Sequence, residues 1–225
     1  GQNEYGQLGI GDYNNRNYPQ KIAEIKFTRQ VECGLYHTVI LVECGAIFSC
    51  GNNDHGQLGI NDQNKRNIPT RIESQEFLVY IDCGWNHTLA IDRDRKLYSW
   101  GRNSSGQLGN GTCTSQNVPS RIGSIENISH TVCGMGHSLA IDNEGRVYAW
   151  GRNYMGQLGS KRKKEETPFV TNMKFIFHED IFIGQEEKNE ILHILYEDLE
   201  SRKSKKWQLI DIESAGKNFI SFHRT

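Results

Sequence analysis

Gly1, Gly51, Gly101 and Gly151 stand 50 residues apart, and each opens the same phrase. The four copies read G-Q-N-E-Y-G-Q-L-G, G-N-N-D-H-G-Q-L-G, G-R-N-S-S-G-Q-L-G and G-R-N-Y-M-G-Q-L-G. Cys33-Gly34, Cys83-Gly84 and Cys133-Gly134 keep the same spacing, as do His37, His87 and His137 and also Pro19, Pro69 and Pro119. A fixed period of this length means stacked copies of one supersecondary unit, each too small to bury its apolar face alone. Units therefore begin at 1, 51, 101 and 151. Residues 1–167 hold the regular repeats, and 168–225 form a divergent fourth blade or a capping segment.

Within a unit the apolar residues fall in short runs. Phe77 to Cys83 is rich in β-formers, His87 to Asp92 is a short apolar strand, and Leu97 to Trp100 closes the unit. Asp142-Asn143-Glu144-Gly145 has hairpin-turn chemistry. Pro69 to Ile72 reads as one more extended segment, opening the blade of the second unit and following a Gly-rich connector. Four antiparallel strands per repeat predict an all-β fold of propeller blades: a partial ring of three clear blades plus one degenerate blade. A helical solenoid is excluded because no unit holds a 10-residue stretch of helical periodicity, and kelch-type repeats are excluded because no Gly-Gly pair recurs.

In the connector, the glycines of Gly-Gln-Leu-Gly permit a turn that side chains would block. Leu8, Leu58, Leu108 and Leu158 are expected to fill space between blades, and Asn3, Asn53, Asn103 and Asn153 to bond the turn backbone. Trp100, Trp150 and the equivalent Cys50 are expected in the packing between blades.

The phrase C-G-x-x-H-[TS], the strand ending in W-G and G-x-N-x-x-G-Q-L-G together resemble the repeat of the regulator of chromosome condensation family, over residues 1 to about 170. The resemblance implies a ring of four-stranded blades, usually seven. Seven repeats of 50 need about 350 residues, so the chain is expected to be a fragment, a degenerate relative or half of an assembly. The resemblance also implies guanine-nucleotide exchange on a small Ran-like GTPase as one function, since the founding member acts on Ran and docks on chromatin.

Beyond Gly159 the pattern wears away. Ile181-Phe182-Ile183-Gly184 stands where Cys-Gly is expected, and Glu187 where His is expected. Residues 191–196 and 207–210 fit the third and fourth strands of a worn blade. Ile191, Leu192, Ile194, Leu195 and Leu199 also fit one face of an amphipathic helix. Phe219 to Phe222 offers one more strand.

The chain has no catalytic inventory that repeats or converges. C-x-x-x-H supplies two ligands per unit where zinc wants four at one point; the sequence predicts a small buried Cys and a His that hydrogen-bonds the blade. Gly6-x-x-Gly9-x-Gly11 lacks the Lys-Ser/Thr of a phosphate loop. No Ser-His-Asp order and no reactive-Cys signature appear. Neither an enzyme activity nor a cofactor nor a metal is expected. A net charge of −1 supplies no field for nucleic acid or anionic membrane, and no apolar run approaches a transmembrane length. The dense run Lys161-Arg162-Lys163-Lys164 is diluted by Glu165 and Glu166. Cysteines repeated singly at one position read as reduced thiols, in the cytoplasm or nucleus.

Function is expected where repeats differ, on loops. Candidate partner-contact residues are Tyr13, Arg16, Tyr36, Lys65, Arg66, Trp85, Asn86 and Met135. The expected role is a non-catalytic scaffold that holds other proteins. The alternatives are exchange on a small GTPase and a regulatory repeat region within a larger signalling or ubiquitin-ligase protein. Open blade edges are expected to favour self-association.

Overall fold

The computed structural model describes residues 1–22, 25–74, 76–171, 174–176 and 193–195. It divides into two compact units, Gly1–Val170 and Thr171–Thr225. The first holds three four-stranded antiparallel sheets, each a meander of consecutive strands. Sheet one contains β1 (Thr28–Cys33), β2 (His37–Val42), β3 (Ile47–Gly51) and β4 (Arg66–Ile72). Sheet two contains β5 (Leu78–Cys83), β6 (His87–Asp92), β7 (Leu97–Gly101) and β8 (Gln116–Arg121). Sheet three contains β9 (Ile128–Cys133), β10 (His137–Asp142), β11 (Val147–Arg152) and β12 (Lys164–Val170). In the second unit β13 (Lys174–Ile176) pairs antiparallel with β14 (His193–Leu195). Of the 191–196 segment, His193–Leu195 is a strand. Residues 181–187, 207–210 and 219–222 lie outside the described residues.

One boundary differs from the sequence reading. The segment at Pro69 closes the preceding sheet and does not open the next: Gly51 faces Arg66, and Ile47 faces Ile72, in one antiparallel pair. The connector is therefore a loop within a blade, and the chain crosses to the next blade between Ile72 of β4 and Leu78 of β5. The cause is the connector's own fold. Asn53 Nδ2 donates to Asp62 O at 2.9 Å and Asn64 O at 3.2 Å, while Leu58 N donates to Asn53 Oδ1 at 3.0 Å. One buried amide gathers both limbs of the loop and returns the chain beside the strand it left. Asn103 and Asn153 make the equivalent bonds. Gly101 makes the exit possible: its φ is 102°, and a Cβ there would lie 2.5 Å from Asn86 O.

The core lies between sheets. Val39, Leu41 and Ile47 of sheet one pack with Ile81, Cys83, Ala90, Tyr98 and Trp100 of sheet two. Leu89, Ile91 and Leu97 of sheet two pack with Ile128, Cys133, Ala140 and Trp150 of sheet three. Both tryptophans are fully buried at these seams and satisfy their indole N–H. Trp100 Nε1 donates to Gln57 O at 3.0 Å and Trp150 Nε1 to Gln107 O at 2.8 Å. Leu58, Leu108 and Leu158 are buried, as expected of a plug, whereas Leu8 is only half-buried.

The recurrent histidines join blades. His37 Nε2 lies 3.2 Å from Thr88 Oγ1, and His87 Nε2 lies 3.0 Å from Ser138 Oγ. Each hydroxyl donates onward to a connector carbonyl, Thr88 to Gln57 O and Ser138 to Gln107 O. The hydroxyl proton is thereby used, so Nε2–H donates and the ring is the Nε2–H tautomer. Nδ1 of His37 and His87 is buried and has no hydrogen-bond partner among the described residues. Gly34 and Gly84 make room for these rings, since a Cβ at either would sit 2.1 Å from the imidazole Cε1. Burial holds His37 down at about 4 and His87 at about 3, with His137 and His37 adding repulsion to His87.

Candidate functional site

Strand direction decides which loops share an end. β1 finishes at Cys33, β2 starts at His37, β3 finishes at Gly51 and β4 starts at Arg66. The 34–36 turn and the 52–65 connector therefore emerge together, and the 43–46 hairpin lies at the opposite end. The other two sheets repeat the arrangement. Every residue proposed from the sequence stands at this connector end. Tyr36, Trp85, Asn86 and Met135 occupy the short turns and are half-buried. Tyr13, Arg16 and Lys65 occupy the connectors, and Arg66 opens β4 where the second connector ends.

The structure brings some of these residues together. Lys65 Nζ stands 4.3 Å over the Tyr13 ring and donates to Glu4 O at 3.4 Å, joining the first two connectors. Asn86 accepts from Gln57 Nε2 at 3.4 Å, and its carbonyl accepts from Arg102 N at 2.8 Å. The Tyr36 ring packs at 4.8 Å on Tyr5. Arg16 and Arg66 serve their own connectors. Arg66 NH2 pairs with Asp62 Oδ2 at 2.6 Å while NH1 donates to Asn64 O at 2.9 Å, and Arg16 repeats the pairing with Asp12. The hydrogen bond from the Asn64 amide and the Arg66 guanidinium hold the Asp62 carboxyl below its usual range, against the opposing effect of desolvation.

Sequence reasoning missed a second set at this end: Tyr5, His55, Arg102, Arg152, Tyr154 and Met155. They occupy the variable positions inside the repeated phrase, where the glycines and Asn drew attention from their neighbours. Tyr154 and Met155 are exposed, and the Arg152 guanidinium lies 5.5 Å over the Tyr154 ring. Arg102 Nε donates to Ser104 Oγ at 2.9 Å.

At the inner seam Asp82 Oδ2 accepts from Cys133 N of the next sheet at 2.5 Å, and Oδ1 from Cys83 N at 2.9 Å. Desolvation, reinforced by Glu32 on the preceding sheet, pushes the Asp82 carboxyl up to about 7. Cys83 and Cys133 are buried thiols pushed up by desolvation, whereas Cys33 is exposed. The buried-Cys expectation thus fails for the first repeat: no described sheet covers that face of β1. Among the described residues no group of three or more His, Cys, Asp or Glu side chains converges to hold a metal, and no helix is long and apolar enough to cross a membrane. The connector end is a surface of aromatic, amide and cationic side chains on a rigid frame.

Comparisons with known proteins agree with this architecture. The family model described as regulator of chromosome condensation (RCC1) repeat matches residues 1–41, 44–91, 94–141 and 144–176. A second model of the same repeat matches 29–57, 79–107 and 128–157. The solved structure of human WBSCR16 is similar over 78% of this chain and 50% of its own, with 23% identity and a TM-score of 0.68. Prp20p from Saccharomyces cerevisiae is similar over 75% of this chain and 46% of its own, with 20% identity and a TM-score of 0.65. Yeast RCC1 (Prp20) bound by Kap60 gives 78% and 46%, with 21% identity and a TM-score of 0.64. The chain spans about half the length of these structures. Comparison with curated proteins gives no significant match.

Proposed function

The chain belongs to the regulator of chromosome condensation repeat family, and from that premise we propose that it is a non-catalytic scaffold that holds other proteins at the connector end of its blades. One observation carries the reading. The residues that repeat from blade to blade are consumed in the frame, while the connector end carries large aromatic, amide and cationic side chains that differ from repeat to repeat. Gly51, Asn53, Leu58 and His37 build the blade; Tyr5, Tyr36, His55, Trp85, Met135 and Tyr154 vary the surface above it. Half-buried aromatic side chains on a rigid frame lose little freedom when a partner covers them. The working compartment under this reading is the cytoplasm or nucleus, where the thiols stay reduced.

A photo-crosslinking residue in place of Trp85, compared with one in place of Glu43 at the hairpin end, tests the proposal. Specific protein adducts are expected from the connector end and not from the hairpin end. Equal labelling from both positions, or none from Trp85, would remove the proposal.

A second reading is exchange on a small GTPase. It is favoured by Prp20p, whose structure is described together with binding to Gsp1p and histones. An exchange factor needs no acid, base or cofactor of its own: it binds the nucleotide-free GTPase more tightly than the loaded one, which weakens nucleotide affinity. Release of a fluorescent GDP analogue from Ran-type GTPases measures this directly. No acceleration at micromolar chain would discard it.

A further inference from the structure

Charge is not spread evenly over the connector end. The first two connectors with the arginine that closes each, residues 1–16 and 51–66, carry the acids Glu4, Asp12, Asp54 and Asp62 and the bases Arg16, Lys65 and Arg66. The next two over the same span, 101–116 and 151–166, carry six bases, Arg102, Arg152, Lys161, Arg162, Lys163 and Lys164, against the acids Glu165 and Glu166. Part of that second group is neutralised locally, since Arg162 pairs with Glu165 and Lys164 with Glu166. Arg102 and Arg152 differ from these. They occupy one repeat position in successive connectors, where the first two units place Gln2 and Asn52.

Neither guanidinium has an ion pair among the described residues. Arg102 Nε donates to the Ser104 hydroxyl and its charge acts on His55, while Arg152 stands over the Tyr154 ring with its charge acting on His137. Both backbone N–H groups are fixed to the adjoining turns, Arg102 N to Asn86 O and Arg152 N to Gly136 O, each at 2.8 Å. The backbone at each arginine is therefore anchored, with the Arg102 side chain exposed and the Arg152 side chain half-buried. Apolar surface lies beside them, in Trp85, Met135, Tyr154 and the exposed Met155. An arginine fork matches a carboxylate bidentately, and an adjacent aromatic supplies contact area for a neighbouring apolar side chain.

We infer that the Arg102–Arg152 side of the connector end is a docking site for an acidic polypeptide segment carrying apolar or aromatic residues among its carboxylates. The inference rests on the reading of this end as the partner surface and names the chemistry of that partner. Glu4 and Asp54 of the first two connectors repel its carboxylates, whereas Asp12 and Asp62 are spent on Arg16 and Arg66.

A fluorescein-labelled peptide of alternating Glu and Leu, twelve residues long, and a Gln twin make the test by anisotropy on the full 225-residue chain. The acidic peptide is expected to bind, to weaken as salt rises, and to exceed the Gln twin by at least about tenfold. R102A/R152A should lose about tenfold or more, whereas K161S/K163S should lose less. The charge-reversed R102E/R152E should prefer the Lys–Leu counterpart peptide, which separates site chemistry from mere damage; should R102A/R152A melt non-cooperatively, R102Q/R152Q replaces it. Equal affinity for the Gln twin, a loss that follows the lysines and not the arginines, or tighter binding of a single-stranded oligonucleotide of equal charge would each overturn the inference. If Trp85 still crosslinks proteins while the acidic peptide fails to bind, this inference falls and the scaffold reading stands. If Trp85 crosslinks nothing, the scaffold reading falls independently of the peptide result.

Discussion

Val31 and Ile81 hold the same position in consecutive repeats, yet Val31 is 50% exposed and Ile81 is fully buried. Cys33 and Cys83 differ in the same way, and Cys50, Trp100 and Trp150 share a third position filled by a thiol once and an indole twice. The strands are alike in length, register and partner. What differs is the sheet in front. β5 is covered by Val39, Leu41 and Ile47 of sheet one, whereas no described sheet stands before β1. In stacked repeats a residue's burial is a property of the seam, and the blade alone does not set it.

Removing the indole at a seam should give the largest effect. Trp100→Ala is expected to cost about 3–5 kcal/mol, the range for deleting a buried aromatic, read by chemical denaturation. Ile81→Ala should cost about 2–5 kcal/mol and Val31→Ala within about 0.5 kcal/mol. If Val31→Ala proves as costly as Ile81→Ala, something covers the first sheet in solution and the contrast collapses. A melting midpoint that rises with chain concentration would identify that cover as a second copy.

Two buried groups sharpen the seam by pH. His87 has a folded value near 3, below the ordinary 6.5, so the unfolded chain binds more protons between those limits. Its contribution is present above about pH 6.5 and is lost as pH falls through that window. His37 acts in the same sense. Asp82 runs oppositely: at about 7 its folded value lies above the ordinary 3.8, so the folded chain binds more protons and stability is lost as pH rises from 4 to 7. H87Q should flatten the acid side of the stability–pH curve, and D82N should flatten the neutral side. Parallel curves for wild type and D82N would show that the carboxyl is solvated at the seam.

The smallest effects belong to the connectors. Arg66→Ala removes a partly exposed pair with Asp62 and is expected to cost under about 1 kcal/mol. Asn53→Ala, which strips the buried amide from both limbs of the same loop, should exceed it by thermal denaturation.

Much of the frame was legible in the sequence because the 50-residue period registers every strand at once. Strand positions and the places of Leu58 and Trp100 followed from one aligned unit. The assignment of the Pro69 strand did not, since a strand carries no mark of which sheet it joins. Only the Asn53 hydrogen bonds and the Gly51–Arg66 pairing return it to sheet one. The contact surface was half legible. Tyr36, Trp85, Asn86 and Met135 stood out as differences beside an invariant Cys-Gly. Tyr5, Arg102 and Tyr154 were hidden inside the phrase that looked most uniform.

The sequence by itself determined the family, the all-β blades, the framework positions and the short repertoire of candidate chemistry, because local β-propensity and an unbroken period depend on neighbours along the chain. The tertiary structure alone decided two things: that the short turn and the connector of every blade share one end, and that equal residues are buried or bare according to the seam they meet. Each depends on strand direction and stacking between sheets, which place residues about 50 positions apart side by side.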